Sequence, residues 1–235
     1  MALTTILFDL DGTLLPMDLE VFTKAYLSRL TANFMQHGYE PEKLAKTIMK
    51  GTFAVIKNDG KQTNEKLFWN IAKSEYGDKI IEDKPFFDKF YEEEFDSLRE
   101  VCGFNPAAAE TVRTLKKRGL RLILATNPIF PLAATERRIR WTGLEPSDFE
   151  LVTTYENSRF CKPNPEYFRE ILGDFGISVE ECLMVGNDVG DDMSAAAVGM
   201  KVFLLTDCLI NTSNTDISRY PQGDFAALLN YVNSL

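Results

Sequence analysis

The sequence is poor in the residues that most often announce a metal or redox centre. It has one histidine, His37, and four cysteines, Cys102, Cys161, Cys182 and Cys208, none of them in a Cys-x-x-Cys pair. Neither a zinc site nor a disulfide framework is expected; reduced thiols in a cytoplasmic protein are. No apolar run approaches the roughly 20 residues that span a bilayer. Met1–Phe8 has no basic start and acids follow it at once, so no secretory leader is expected. Positive charge is also in deficit: 26 Lys and Arg stand against 35 Asp and Glu, a formal net charge of −9. Neither nucleic acid nor an anionic membrane is therefore an expected partner. An anionic substrate would need local cations or a metal. Internal repeats, low-complexity tracts and Gly/Ser linkers are missing as well, which predicts short hinges at any domain joins.

What is present suits a folded enzyme-sized chain. Its 235 residues are 45% hydrophobic, enough for one large domain or a core with a small insert. Five short apolar runs read as strands covered on both faces: Thr5–Leu10, Leu120–Thr126, Glu150–Thr154, Cys182–Gly186 and Lys201–Thr206. Helical signals lie between most of them. Asn105-Pro106 starts one that runs to Lys117 and stops at Gly119; Asn164-Pro165 starts another before Glu166–Leu172. Ser194–Val198 is a short Ala-rich helix ended by Gly199, and Asp224–Leu235 a terminal one. The alternation predicts an α/β layered fold on a parallel sheet. Residues 17–96 break it. They contain no clear strand, and Leu19, Phe22, Tyr26, Leu30 and Phe34 step along one helical face. An all-helical insert is expected there, with residues 1–16 and 97–235 forming the α/β core.

The chemistry-bearing residues cluster where the strands end. Asp9-Leu10-Asp11-Gly12-Thr13 leaves the first strand. Asp at i and i+2 on a strand would share a face. Two such carboxylates need a cation or a shared proton, and Mg²⁺ is the natural oxygen-seeking partner. The second strand ends in Thr126-Asn127. Lys162 sits in the Cys161-Lys162-Pro163-Asn164-Pro165 loop before a helix. The fourth strand runs into Gly186-Asn187-Asp188-Val189-Gly190-Asp191-Asp192. Each fragment alone also has a plain structural reading: an Asp-Gly turn, a solvated lysine, a helix start rich in capping acids.

Taken in order, the acid pair, Thr126, Lys162 and the acid cluster resemble the four motifs of the haloacid dehalogenase superfamily, and the insert resembles its helical C1-type cap. The resemblance implies a Rossmann-like three-layer core with an inserted cap. It also implies a Mg²⁺-dependent phosphatase acting on a small phosphorylated metabolite through an aspartyl-phosphate. Asp9 would be the nucleophile and Asp11 the general acid and then base. Thr126, Lys162 and the backbone N–H groups near Leu10 and Asn127 would hold phosphoryl oxygens. The metal would sit on Asp9, the Asp11 carbonyl and the fourth motif. There the sequence departs from the family, which usually has Gly-Asp where this chain has Gly186-Asn187. Asn187 as ligand, Asp188 as substitute, and Asp191 holding metal-bound water are all open. Asp11 favours phosphate esters over carbon–halogen bonds, since an alkoxide leaving group needs a proton and a halide does not. A sugar phosphomutase of the same superfamily is one alternative. A non-catalytic phosphate-binding or regulatory protein is the other. A monomer or weak dimer is expected.

Within the insert, seven lysines between Lys43 and Lys73 stand against Asp59 and Glu65. Lys57 and Lys61 are candidates for drawing in an anionic substrate, and a solvated helix face is the competing reading. Gly51-Thr52-Phe53 is a candidate substrate-facing turn. His37 reads as structural. Cys161 reads as an inert neighbour of Lys162, with an acidified thiol as the alternative.

Overall fold

A computed structural model describes residues 2–235. β1 (Thr5–Phe8) is followed by a helical segment: α1 (Leu19–Phe34), α2 (Pro41–Ile56), α3 (Asn64–Tyr76), α4 (Lys79–Glu82), α5 (Lys84–Glu93) and a 3₁₀ stretch, Phe95–Val101. The chain then runs through α6 (Pro106–Lys117), β2 (Arg121–Leu124), α7 (Leu132–Trp141), β3 (Leu151–Val152), α8 (Pro165–Phe175), β4 (Cys182–Gly186), β5 (Lys201–Leu205), β6 (Gln222–Gly223) and α9 (Phe225–Asn233). The five expected strands are present, shorter at most ends. A sixth, Gln222–Gly223, has no apolar run to announce it.

All strand pairings are parallel, in the order β3-β2-β1-β4-β5-β6. The chain builds outward from β1 through β2 to β3, then crosses to the other side at β4. Such a switch opens a crevice at the carboxyl ends of the strands, here between β1 and β4. Side chains alternate between two apolar layers. Ile6, Phe8, Leu122, Leu124, Leu183 and Val185 face one layer, with α6, α7 and α9. Leu7, Ile123, Met184 and Leu204 face the other, with α8 and the 3₁₀ turn Met193–Val198. This is the three-layer α/β core. Capping chemistry sets the helix starts: Asn105, Asn164 and Asp224 accept from backbone N–H groups of the first turn.

The helical segment joins the first layer without a break. Phe22, Tyr26, Leu30 and Phe34 of α1 are buried in the same cluster as β1, whereas Leu19 is 44% exposed toward the crevice. Phe34 stacks on Phe87 at 3.9 Å between centroids, and Phe95 on Trp141 of α7 at 5.6 Å. An antiparallel bridge, Met17 to Cys102, ties the two ends of the segment together. His37 stacks on Phe86 at 4.2 Å, a packing role. Among the described residues no helix is long and apolar enough to cross a membrane.

Candidate active site

β1 ends at Phe8, so Asp9 and Asp11 leave the strand rather than lie on it. The Asp9 N–H still donates to the Val185 carbonyl at 2.9 Å, which anchors the nucleophile candidate against β4. The chain then turns tightly: Thr13 and Leu15 N–H donate to the Leu10 carbonyl, and Gly12 N–H to that of Leu15. Gly12 has φ +85°, and a Cβ there would lie 2.4 Å from Asn187 Nδ2. Glycine is needed for both the angle and the space.

Asp9 is buried between two donors. Lys162 Nζ donates to Oδ1 at 2.8 Å and Thr13 Oγ1 lies 3.0 Å from Oδ2. Lys162 is only 2% exposed, so the solvated-lysine reading fails. Its ammonium also donates to Asp192 Oδ1 at 2.6 Å. Burial alone would lower the lysine pKa; the Asp192 and Asp9 carboxylates outweigh it and raise it well above the usual value. Lys162 is therefore a fixed positive charge. Asp192, part of the fourth-strand acid cluster but without a role assigned from the sequence, is its second anchor. Its other oxygen accepts from the Asp188 N–H at 2.9 Å. It fits only because position 186 is glycine: a Cβ there would fall 2.1 Å from Asp192 Cγ. The Gly at the end of β4 was the available signal.

Asp11 has a cation of its own. Its Oδ2 pairs with Arg138 of α7, a guanidinium 1% exposed that also lies 4.6 Å over the Phe130 ring. The two acids of the first motif thus diverge, one onto Lys162 and one onto Arg138. Asp11 Oδ1 is buried with no hydrogen-bond partner among the described residues. Burial pushes the Asp11 carboxyl above its ordinary range, Arg138 opposes this, and the Asp9 charge adds to it. Sequence reasoning missed Arg138. One of two adjacent arginines, Arg137 and Arg138, on an unrecognised helix carries no signal of what it meets.

Asn127 links the loops. Its Oδ1 accepts from the Lys162 N–H at 2.9 Å and its Nδ2 donates to Asp191 Oδ2 at 2.8 Å. Thr126 is buried beside it, its carbonyl accepting from Thr153 and Tyr167 hydroxyls. In the fourth motif, Asn187 Nδ2 donates to the Cys208 carbonyl at 2.7 Å. That commits the NH₂ and turns Oδ1 toward Thr13 Oγ1, 2.7 Å away. The Thr13 hydroxyl sits between an oxygen of Asp9 and one of Asn187. Asp188 closes its own turn by accepting from the Gly190 and Asp191 N–H groups. Burial raises the Asp191 carboxyl pKa.

Eight of the nine expected residues line one cleft of about 120 Å³: Asp9, Asp11, Thr126, Asn127, Lys162, Asn187, Asp188 and Asp191. Leu10 does not; its side chain is 1% exposed in the core, so only its backbone is available to the site. The cleft holds five carboxylates, counting Asp192, against Lys162 and Arg138. A phosphoryl dianion would be repelled from such a surface without a further cation. Among the described residues no three His, Cys, Asp or Glu side chains form a metal-holding group. The donor set that would fit is mixed: an Asp9 oxygen, the Asn187 amide oxygen and the Asp11 backbone carbonyl. These are hard oxygen donors of the kind Mg²⁺ takes while keeping several waters. Burial, with Asp191 adding, pushes the Cys161 thiol up to about 12, which removes the acidified-thiol reading. Lys57 and Lys61 are exposed away from the cleft, and Lys61 pairs with Asp59. Gly51-Thr52-Phe53 is no turn: it lies inside α2, with Gly51 packed on Phe68.

Fold and site together define an α/β protein with a carboxylate-centred cleft at the switch point of a parallel sheet. Residues 3–199 match the model of the haloacid dehalogenase-like hydrolases, and the chain belongs to that family. Pyrophosphatase PpaX of Bacillus cereus (strain AH820) is 26% identical over 201 residues, covering 86% of this chain and 82% of the relative. A predicted phosphoglycolate phosphatase from Haemophilus somnus 129pt superposes with a TM-score of 0.58 at 21% identity, covering 97% of both chains. The HAD-hydrolase YfnB of Bacillus subtilis, crystallised with magnesium, superposes at 0.56 with 21% identity, over 99% of this chain and 100% of its own. At such identities the two structures show the shared fold.

Proposed function

We propose that this hydrolase is a Mg²⁺-dependent phosphatase of a small phosphorylated metabolite, working through an aspartyl-phosphate on Asp9. The observation that carries the reading is the Asp9 carboxylate. It is buried at the mouth of β1, held by Lys162 and Thr13, with a second carboxylate two residues on in the same cleft. Pinning leaves Asp9 one rotamer aimed at the cleft, the preorganisation that in-line displacement at phosphorus needs. Lys162 holds a non-bridging phosphoryl oxygen and offsets charge in the transition state, with the Thr126 hydroxyl and the Leu10 and Asn127 N–H groups on the remaining oxygens. Asp11 gives its proton to the leaving alkoxide from Oδ1, because Oδ2 is committed to Arg138. The same oxygen then takes a proton from the water that hydrolyses the phospho-Asp9. Mg²⁺, held by Asp9, the Asp11 carbonyl and Asn187, with Asp188 and Asp191 on the rim, would neutralise the nucleophile and the phosphoryl group together.

The test is phosphate release from an aryl phosphate, with and without Mg²⁺, by the wild type and Asp9→Asn. Mg²⁺-dependent turnover that falls about 10⁴-fold or more in the variant is expected. A phospho-Asp9 that persists without release of phosphate would instead identify a regulatory protein. Transfer to a substrate hydroxyl without free phosphate would identify a mutase.

A further inference from the structure

A second cavity, of about 100 Å³, lies between the helical segment and the core. Thr52, Phe68, Trp69 and Tyr91 wall it from the helical side, and Ile129 and Phe130 from the loop after β2. Ile129 also lines the cleft that holds Asp9, so the two spaces share a wall. No charged side chain lines the inner cavity. Two hydrogen bonds join its polar side chains: the hydroxyls of Tyr26 and Tyr91 are 2.7 Å apart, and Trp69 Nε1 donates to Tyr155 OH at 3.4 Å. Burial keeps all three phenols neutral, raising their pKa values. Nearby cations are engaged elsewhere. Lys84, 5.8 Å over the Trp69 ring, pairs with Glu65 and Asp88; Arg138, behind Phe130, pairs with Asp11.

We propose that this cavity receives the leaving group, and that the substrate is a phosphate monoester of an uncharged apolar alcohol of about four to six carbons. The inference rests on the phosphatase reading above and specifies its substrate class. An apolar cavity of roughly 150 Å³ takes up benzene, so one of about 100 Å³ that adjoins the cleft at Ile129 holds a short alkyl chain or part of a ring. A second phosphoryl group or a carboxylate would enter with no cation to meet it and only neutral hydroxyls nearby, a heavy desolvation cost. Diphosphates and phosphorylated carboxylic acids are thus the wrong class for this chain.

The experiment compares kcat/KM across n-alkyl phosphates from methyl to octyl, benzyl phosphate, inorganic pyrophosphate, phosphoglycolate and acetyl phosphate, all with Mg²⁺. Each methylene entering the cavity should raise kcat/KM by up to about four-fold, so pentyl phosphate should exceed methyl phosphate by tens of times before the series levels off. Pyrophosphate and phosphoglycolate should rank at or below methyl phosphate. Thr52→Phe, which fills the cavity, should shrink the pentyl-to-methyl ratio by about ten-fold or more. A flat alkyl series, or a preference for pyrophosphate or phosphoglycolate, overturns the assignment while Asp9-dependent turnover of acetyl phosphate leaves the phosphatase reading standing. Absence of turnover on every compound, acetyl phosphate included, overturns both.

Discussion

The sheet side and the helical side of the molecule are held together by different physics. On the sheet side, Asp9, Asp11 and Asp192 interlock with two buried cations through side-chain hydrogen bonds, while Asp188 and Asp191 are held by backbone N–H groups and the Asn127 amide. On the helical side, Phe34, Trp69, Phe87, Phe90 and Phe95 pack edge-on and face-on, with few polar atoms to fix their identity. Exchanging one hydrophobe for another of like volume costs little in such a cluster. Removing one charge from the sheet side leaves another buried and unpaired. The buried charges therefore sit where substitution is punished, and the aromatic packing where it is tolerated.

The sharpest way to break the comparison is Lys162→Met. Asp9 and Asp192 would face each other in the core without their shared cation, and a loss of about 3–5 kcal/mol in urea unfolding is expected along with loss of turnover. Adding Asp192→Asn should restore a large part of the stability and none of the activity. If Lys162→Met unfolds like the wild type, the interlock is not what holds this wall.

Arg138→Met comes next. It strips the guanidinium from Asp11 and from the Phe130 face, and about 3 kcal/mol should be lost. In an Asp11→Asn background the same change should cost much less, because a neutral amide does not need the cation. Equal costs in the two backgrounds would mean that Arg138 acts through packing alone. Gly12→Ala is smaller, about 2 kcal/mol, since it adds a strained positive φ and a Cβ against the Asn187 amide. Weaker Mg²⁺ binding by titration should accompany it, because Asn187 must move.

Most of the sheet side was legible in the sequence because its signals are local. Asp9-Leu10-Asp11-Gly12-Thr13, Asn105-Pro106 and Asn164-Pro165 each specify a turn or a cap within a few residues, and the apolar runs specify strands to within one or two positions at most ends. The role of Asp192 and the whole of Arg138 escaped for the same physical reason. Their partners, Lys162 and Asp11, are 30 and 127 residues away along the chain, so only the crossing of β4 and the docking of α7 define them. Thr52 reads as part of a turn and lies in a helix, because Gly51 serves close packing on Phe68 rather than a bend. The strand β6 was invisible because two residues at a sheet edge need no apolar pattern. Nothing local distinguishes an aromatic stripe that lines a cavity from one that fills a core.

The lysine-rich stretch of the helical segment tests the comparison at its weakest point. Charge counting alone makes it a candidate for steering anionic substrates. Yet Lys46 pairs with Glu42, Lys50 with Glu75, Lys61 with Asp59 and Lys73 with Asp78, all on exposed surface. Surface pairs of this kind contribute little to stability, and salt screens what field remains. Lys57→Ala together with Lys61→Ala should therefore change neither unfolding midpoint nor KM beyond measurement error at 0.15 M salt. A several-fold rise in KM would show that the helical side does read charge, and would move part of the electrostatics from the floor of the cleft to its roof.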